Sequence, residues 1–398
     1  MKFEITPEEK VFREEVRDWL RTHVPKEGRP SEGDGHGKAM REYDLAWQRT
    51  QFEGGWAGVS WPQEYGGRGL SLIEQLIWYE EYALAKAPRV GVCFVGLNHG
   101  GPTLIVKGTE AQKNFHLPKI LKGEVVWCQG FSEPGAGSDL ASLRTSAVID
   151  GDHLVVNGSK IWTSYAQVAD WQELLVRTDA TGKKQEGITW VICDMNSPGI
   201  ERRRILTMTG PDDAHFCQVF YNDVRIPLSN VVGQVNDGWN VANATLGFER
   251  GTAFIAEQIH FAEVIEHMID LARKRPGRDG TGRMIDEGDI HARLAMCRAE
   301  FSAMRSMAYN TISRLARGAQ PGPEGSLVRL FFSEAMQRVR RLGVEILGAE
   351  GLELSEDEGL TRSYLRSFSA TIAAGSSDVQ RNIVGERILG LPRGPKAK

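Results

Sequence analysis

Cysteine is scarce in this 398-residue chain. Five are present (Cys93, Cys128, Cys193, Cys217 and Cys297), an odd number with no CxxC pair. That pattern excludes a disulfide framework and a zinc ribbon, and it predicts buried reduced thiols in a cytoplasmic protein. Long apolar runs are also missing. No stretch approaches the roughly 18 residues that a spanning helix needs, and mean hydropathy is −0.33. The N-terminal MKFEITPEEKVFREEVRDWL has no apolar signal core, so export is not expected. Neither sign of charge dominates: 48 basic against 52 acidic residues leave a net −4. Without a polyanion-attracting field, nucleic acid is not expected as a partner. Histidines such as His99, His116 and His260 stand singly rather than at ligand spacing, so no metal site is expected. No internal repeat occurs, and no GxGxxG follows a strand in a βαβ pattern, which disfavours a Rossmann nucleotide site.

What is present is ordinary globular composition, 41% hydrophobic and 25% charged, at a length that allows about two or three domains. Three zones follow. Residues 1–128 read as helical, opening on Thr6-Pro7-Glu8-Glu9, a cap, a first-turn proline and acidic residues at the positive helix end. Val11, Phe12, Val16, Trp19 and Leu20 continue it at helical spacing. Residues 129–235 change period. SAVIDGDHLVVNG (146–158) alternates around Asp150-Gly151 and predicts a hairpin with a type I′ turn. WQELLVRTD, GITWVICDM and CQVFYNDVRIP read as further strands of a small antiparallel sheet. Residues 236–398 return to helices: a long one through NVANATLGFERGTAFIAEQIHFAEVIEHMIDLARK, then about 289–318 and 326–348, a set that packs as a bundle. The fold class is therefore α+β, mainly α.

Four segments hold residues suited to chemistry. GFSEPGAGSDL (130–140) is a glycine-rich loop with Ser132 and Ser138; it reads as a plain turn, or as a close approach to a flat polar ring or phosphate. GSKIWTSYA (158–166) sets Trp162 beside Thr163 and Ser164, a core tryptophan or an indole covering a cofactor face. LGFERG (246–251) places Glu249 and Arg250 in an apolar helical stretch. They form a solvated pair, or a general base beside an anion-binding cation. Ala373 to Ser377 is a small-residue break before a last helix, whose first turn carries Asp378.

In this order, the segments resemble the acyl-CoA dehydrogenase family over about residues 1–393. GWAGVSWPQEYGGRGL, FSEPGAGSDL, NGSKIWTS, GITWVICDMNSPGI, FYNDVRIP with NVVGQVNDGWNVA, and VQRNIVGERILGLPR carry the likeness. The resemblance implies a helical N-terminal domain, a central β domain and a C-terminal four-helix domain. It also implies FAD, an acyl-CoA substrate, an electron-transfer flavoprotein as electron acceptor, and a homotetramer or a heterotetramer with a related subunit. By resemblance Gln129 to Ser138, including Phe131 and Gly137, line the flavin. Ser132 faces its pyrimidine edge, and Ser138 its pyrophosphate or the substrate. Trp162, Thr163 and Ser164 lie near flavin N5, and Ser376 also contacts the cofactor. Arg250 approaches CoA. Ala374 and Gly375 meet the substrate, the Ala374 N–H and a ribityl hydroxyl polarising the thioester carbonyl.

Three departures qualify the likeness. Many members carry the catalytic base in a C-terminal EGT motif; here Ala374-Gly375-Ser376 stands there. A smaller set carries it in an ER pair on the helix opening the C-terminal domain, which Glu249 matches. The family's RxxFG becomes Arg273-Lys274-Arg275-Pro276-Gly277, and a glutamine before a GG pair becomes Glu345 in EILGAEG. Arg273 and Glu345 fall where members contact FAD across a subunit interface, so an unlike partner chain is implied. The reaction implied is α,β-dehydrogenation of an acyl-CoA thioester with Glu249 as base. A flavin oxidase or nitroalkane-type enzyme on the same fold, or a supporting subunit of a hetero-oligomer, are the alternatives.

Overall fold

The computed structural model describes residues 6–31, 37–210, 215–248, 254–319, 322–354 and 359–394. The chain divides into two compact units. The first unites residues 1–20, 71–86 and 252–398; the second holds 21–70 and 87–251.

The second unit is built on a seven-stranded sheet: β1 (Trp127–Gly130), β2 (Ser146–Asp150), β3 (His153–Ser164), β4 (Trp171–Arg177), β5 (Ile188–Asp194), β6 (Ile200–Arg204) and β7 (Phe216–Pro227). The path runs β1-β4-β2-β3-β7-β6, with β5 added on β4. The β2–β3, β3–β7, β4–β5 and β6–β7 pairs are antiparallel as expected. β4 departs from the expectation: it runs parallel to β1, from Trp127 against Trp171 to Gly130 against Leu174, and touches β2 in parallel at Ser146 and Arg177. Strands β4 and β5 are buried on both sides, and their sequences are mostly apolar, with Gln172, Glu173 and Thr189 as buried polar exceptions. Leu174, Val176, Val191 and Cys193 enter one core. Leu175, Ile188, Trp190 and Ile192 enter the other. Helix α2 (Lys38–Glu53) supplies Met40 and Leu45 to the first core. The second receives Leu104 from α4 (Gly101–Lys107), Leu117 and Ile120 from α5 (Glu110–Leu121), and Val241 from α6 (Gly238–Phe248).

The hairpin forms, but one residue later than predicted. Asp150 pairs with His153, so the two loop residues are Gly151 and Asp152. Only Gly151 has positive φ (62°), the pattern of a type II′ turn rather than I′; that turn asks for glycine at its first central position alone.

The first unit is helical. α1 (Pro7–His23) starts as predicted: Thr6 Oγ1 accepts from the Glu9 N–H while Glu9 Oε2 accepts from the Thr6 N–H, a capping box ahead of Pro7. Val16 and Leu20 are buried, but Val11 of the predicted stripe is exposed. α3 (Leu72–Leu84) presents two buried carboxylates, Glu80 and Glu81. Arg13 reaches both (2.8 and 2.7 Å), Arg17 reaches Glu81 (3.0 Å), and Arg305 with Tyr309 reaches Glu80. Burial pushes the Glu80 carboxyl up, but the Tyr309 hydroxyl and then the Arg13 and Arg305 guanidinium groups hold it below the usual carboxylate range.

The long helices α7 (Phe254–Lys274), α8 (Gly288–Ala316) and α9 (Glu324–Leu347) pack together, and the short α10 (Leu360–Ser367) and α11 (Ser377–Ile383) lie along α9. Phe261, Ile265, Met268 and Ala272 meet Ile290, Leu294, Cys297 and Met304, and Phe332, Ala335, Val339, Leu342 and Ile346. Spacings of three, four and seven keep each set on one helix face, which is bundle packing. The helix expected to run unbroken from 240 to 274 is described as α6 and α7 on either side of 249–253. Among the described residues no helix is long and apolar enough to cross a membrane, and no cluster of His, Cys, Asp or Glu could hold a metal.

His116 on α5 packs edge-on to Trp127, Trp171 and Phe115, with ring centroids 5.2, 4.8 and 4.7 Å away. Burial first, and the nearby Lys119 second, push its pKa down to about 4. Unfolding restores an ordinary value near 6.5, so the unfolded chain binds a proton that the native ring refuses. Stability contributed by neutral His116 is therefore whole above that value and is lost as pH falls toward 4. Thermal melts of His116→Gln are expected to be flatter than wild type between pH 7 and 4.5; identical slopes would contradict the burial argument. Leu342→Ala, which empties part of the bundle core, is expected to cost about 2–5 kcal/mol in denaturant unfolding.

Candidate functional site

The candidate residues fall in both units. In the second unit they gather where β1, the 130–140 loop and β3 meet. Gln129, on β1, is half-buried, and its carboxamide donates to the fully buried Glu173 on β4 (2.8 Å) and lies 3.2 Å from His99 Nδ1. Phe131 puts its ring in the core. Ser132 is half-buried, and Gly137 and Ser138 are exposed.

The loop is tied down one residue at a time. The Phe131 carbonyl accepts from Lys160 Nζ (3.0 Å), and the Ser132 carbonyl accepts from the Ile161 N–H (2.9 Å). The Glu133 carboxylate accepts from Lys160 Nζ (2.8 Å) and from the N–H groups of Arg144 and Thr145 (2.7 and 2.8 Å). Glu133 and Ala136 exchange backbone hydrogen bonds across the turn. Lys160 has no exposed surface at all. Burial pulls its pKa down to about 8 while Glu133 resists that pull; Lys160 and the two amides in turn hold Glu133 below its ordinary range.

Residues 161–162 form a bulge in β3, because pairing with β7 slips between Lys160 and Thr163. The bulge turns Trp162 outward. Its backbone is left-handed (φ 61°), costly for an aromatic residue, and its indole is 56% exposed, resting edge-on against Phe216. That rules out the core-tryptophan alternative. Thr163 is buried, and its Oγ1 has no hydrogen-bond partner among the described residues. Ser164 ends the strand half-buried. A strained, outward-facing indole, a loop serine anchored one residue away, open space beside Gly135 and Gly137, and an unspent buried hydroxyl suit a large planar ligand with a phosphate tail. The residues present fit FAD.

In the first unit, the small-residue break forms a turn with Ala374 at φ 50° and Gly375 at φ 85°. Two side chains hold carbonyls in and just before it. Arg329 takes those of Ala370 and Ala373 (2.9 and 2.7 Å), and Gln380 Nε2 takes those of Ala374 and Gly375 (3.3 and 3.4 Å). Ser376 Oγ accepts from the Val379 N–H as the cap of α11, a structural use of the hydroxyl assigned to the cofactor by resemblance. Among the described residues no acceptor takes the Ala374 N–H. A backbone donor left unspent on an exposed turn can stabilise developing negative charge.

Arg273, in the last turn of α7, is exposed and pairs with Asp270 (3.1 Å). Glu345, near the end of α9, is bound by Arg293 and by Arg341 (3.2 Å), which keep it ionised. Arg275 donates to the Leu347 carbonyl and pairs with Glu350, so both positions lie at one end of the bundle. Glu249 and Arg250 lie outside the described residues.

Sequence reasoning missed Glu133, Lys160, Arg329 and Gln380 as the residues that hold these segments. Lys160 alone carried a signal: it falls on the inward parity of β3 with Leu154 and Val156.

Models of the acyl-CoA dehydrogenase N-terminal, middle and C-terminal domains match residues 6–124, 128–224 and 236–389. The chain is 38% identical over 390 residues to "Acyl-CoA dehydrogenase IpdE1" of Mycobacterium tuberculosis, covering 97% of this chain and 98% of that protein. Among solved structures, "Tcur3481-Tcur3483 steroid ACAD" superposes with a TM-score of 0.84 at 32% identity, covering 99% of this chain and 100% of that one. The ChsE4-ChsE5 complex from Mycobacterium tuberculosis superposes with a TM-score of 0.82 at 34% identity, covering 99% and 100%. The chain belongs to the acyl-CoA dehydrogenase family and is an FAD-dependent oxidoreductase.

Proposed function

We propose that the protein oxidises an acyl-CoA thioester to its trans-2-enoyl-CoA, with Glu249 as the base that removes the α-proton. FAD, when bound, supplies the acceptor for the β-hydrogen as hydride. An α-carbon proton is far less acidic than a carboxylic acid, so a carboxylate can remove it only if the thioester carbonyl is polarised as charge develops on its oxygen. The Ala374 N–H donates to that oxygen, and Gly375 lets the turn approach the thioester. The observation that carries this reading is the turn itself. Ala374 is left-handed, the neighbouring carbonyls are held by Arg329 and Gln380, and that N–H is unspent among the described residues. Ser132, Ser138, Trp162, Thr163 and Ser164, with the backbone of Gln129, Phe131 and Gly137, hold the flavin; Ser376 is assigned to the cofactor by resemblance alone. Arg250 and Ser138 hold the phosphate-rich CoA, which a chain of near-neutral total charge must meet with local cations.

The substrate's acyl group is of the bulky, ring-bearing kind. The relative described as a steroid ACAD supports this choice. Zones 1–128, 129–235 and 236–398 are its three domains, a division supported by where the three family models match. The active assembly is a tetramer, and the altered Arg273 and Glu345 positions favour an unlike partner chain over a second copy. Both similar solved structures named above carry two chain names, which supports the same reading. Five free, buried thiols are consistent with a cytoplasmic enzyme. An electron-transfer flavoprotein takes the electrons onward.

Glu249→Gln is expected to lower kcat by about 10²–10⁴-fold while the bound flavin spectrum stays unchanged. Wild-type turnover in that variant would remove Glu249 as the base. A screen of straight, branched and polycyclic acyl-CoA thioesters, with an artificial electron acceptor and with or without a candidate partner chain, is expected to favour the polycyclic class. Peroxide formed in step with turnover would instead indicate an oxygen-using flavoenzyme.

A further inference from the structure

We propose that the buried Lys160–Glu133 pair is a positioning device that fixes the 131–133 loop to the Trp162 bulge, so that Ser132 and the indole present one preformed surface to FAD. The geometry is specific to those residues. Three consecutive loop residues are each fastened to β3 or its neighbourhood: Phe131 through its carbonyl to Lys160, Ser132 through its carbonyl to Ile161, and Glu133 through its side chain to Lys160. Ile161 is the residue before Trp162, so the anchor of the loop and the start of the bulge are one peptide apart. Glu133 also clamps Arg144 and Thr145, where the chain leaves the loop to enter β2. One ion pair thus sets both ends of the loop against the strand that carries the indole.

Stability does not explain why the pair is charged. Removing an ammonium and a carboxylate from water is expensive, and a well-packed neutral filling of the same volume is commonly as stable or more so. What a charged pair adds is directional. An ammonium that must satisfy a carboxylate and a carbonyl together has few alternative arrangements once water is excluded. The lowered proton affinity of Lys160 is the trace of that cost. The strained backbone of Trp162 is of the same kind: left-handed aromatic residues persist where surrounding structure over-determines them.

The inference rests on the placement of flavin against Ser132 and Trp162, and the test separates the two. Apo-forms of full-length wild type, Lys160→Met/Glu133→Gln, Ser132→Ala and Trp162→Leu are titrated with FAD. Each is followed by flavin fluorescence, by circular dichroism of the bound flavin, and by the apo-protein melting temperature. Lys160→Met alone strands the Glu133 charge and serves as a check on folding; the double variant removes both charges and keeps one side-chain oxygen to accept from the Arg144 or the Thr145 N–H. The double variant is expected to melt within a few degrees of wild type, yet bind FAD at least tenfold more weakly with an altered flavin dichroism signal. Wild-type affinity and dichroism in the double variant, with weakened binding in Ser132→Ala and Trp162→Leu, would overturn the positioning role alone. Unchanged FAD binding in Ser132→Ala and Trp162→Leu would overturn the flavin placement, and the inference with it.

Discussion

An ammonium group enclosed by protein must be answered at once, because no water remains to do it. Lys160 meets that demand with one carboxylate and one carbonyl, and much of the second unit is arranged around the solution. Glu133 can answer Lys160 only because its other lone pairs are filled by two backbone amides, which drags the start of β2 to the loop. β3 must then deliver Lys160 inward, on the face that buries Leu154 and Val156 earlier in the strand. Lys160 is wholly buried and Glu133 nearly so, and those dry surroundings make the pair costly and therefore selective.

The helical unit solves a related problem differently. Glu80 and Glu81 are buried on α3, but they are shared among cations from α1 and α8 whose stems remain partly exposed. Such a network tolerates adjustment in a way that a single sealed pair does not. Its role is to register helices, whereas the sealed pair registers a loop against a strand. The turn at Ala374 follows a third plan: neutral and cationic donors, Gln380 and Arg329, gather carbonyls, while the Ala374 amide has no acceptor among the described residues.

Much of this was legible beforehand because it depends on local chemistry. The Thr6 cap, the start of α1 and the apolar runs of β4 and β5 follow from residues within one turn or one strand. The small-residue break before α11 showed itself by composition. The β6 strand, Ile200–Arg204, was not seen, because IERRR at a sheet edge carries almost no apolar signal. The four-residue β1 and its parallel pairing were hidden for another reason: parallel neighbours are set by tertiary contact, not by adjacent turns. The hairpin turn was misplaced by one residue because glycine marks where positive φ is possible without saying which turn uses it. Of the site, the outward candidates Ser132, Ser138 and Trp162 were visible as types. The groups that hold them, Glu133, Arg329 and Gln380, act over distances no local pattern reports. Glu249 and Arg250 rest on the family likeness.

The bulge at Trp162 also makes β3 a segment of fixed length. Before it, inward residues fall on even positions; after it, Thr163 takes the inward place on an odd one. Removing one residue between Lys160 and Thr163 would restore simple alternation with Thr163 still inward, and would abolish the bulge that turns the indole outward. Substitutions along this stretch can be graded and partial, but a change in residue count there is all-or-none. Among descendants of this sequence, β3 should therefore drift in composition far more freely than in length.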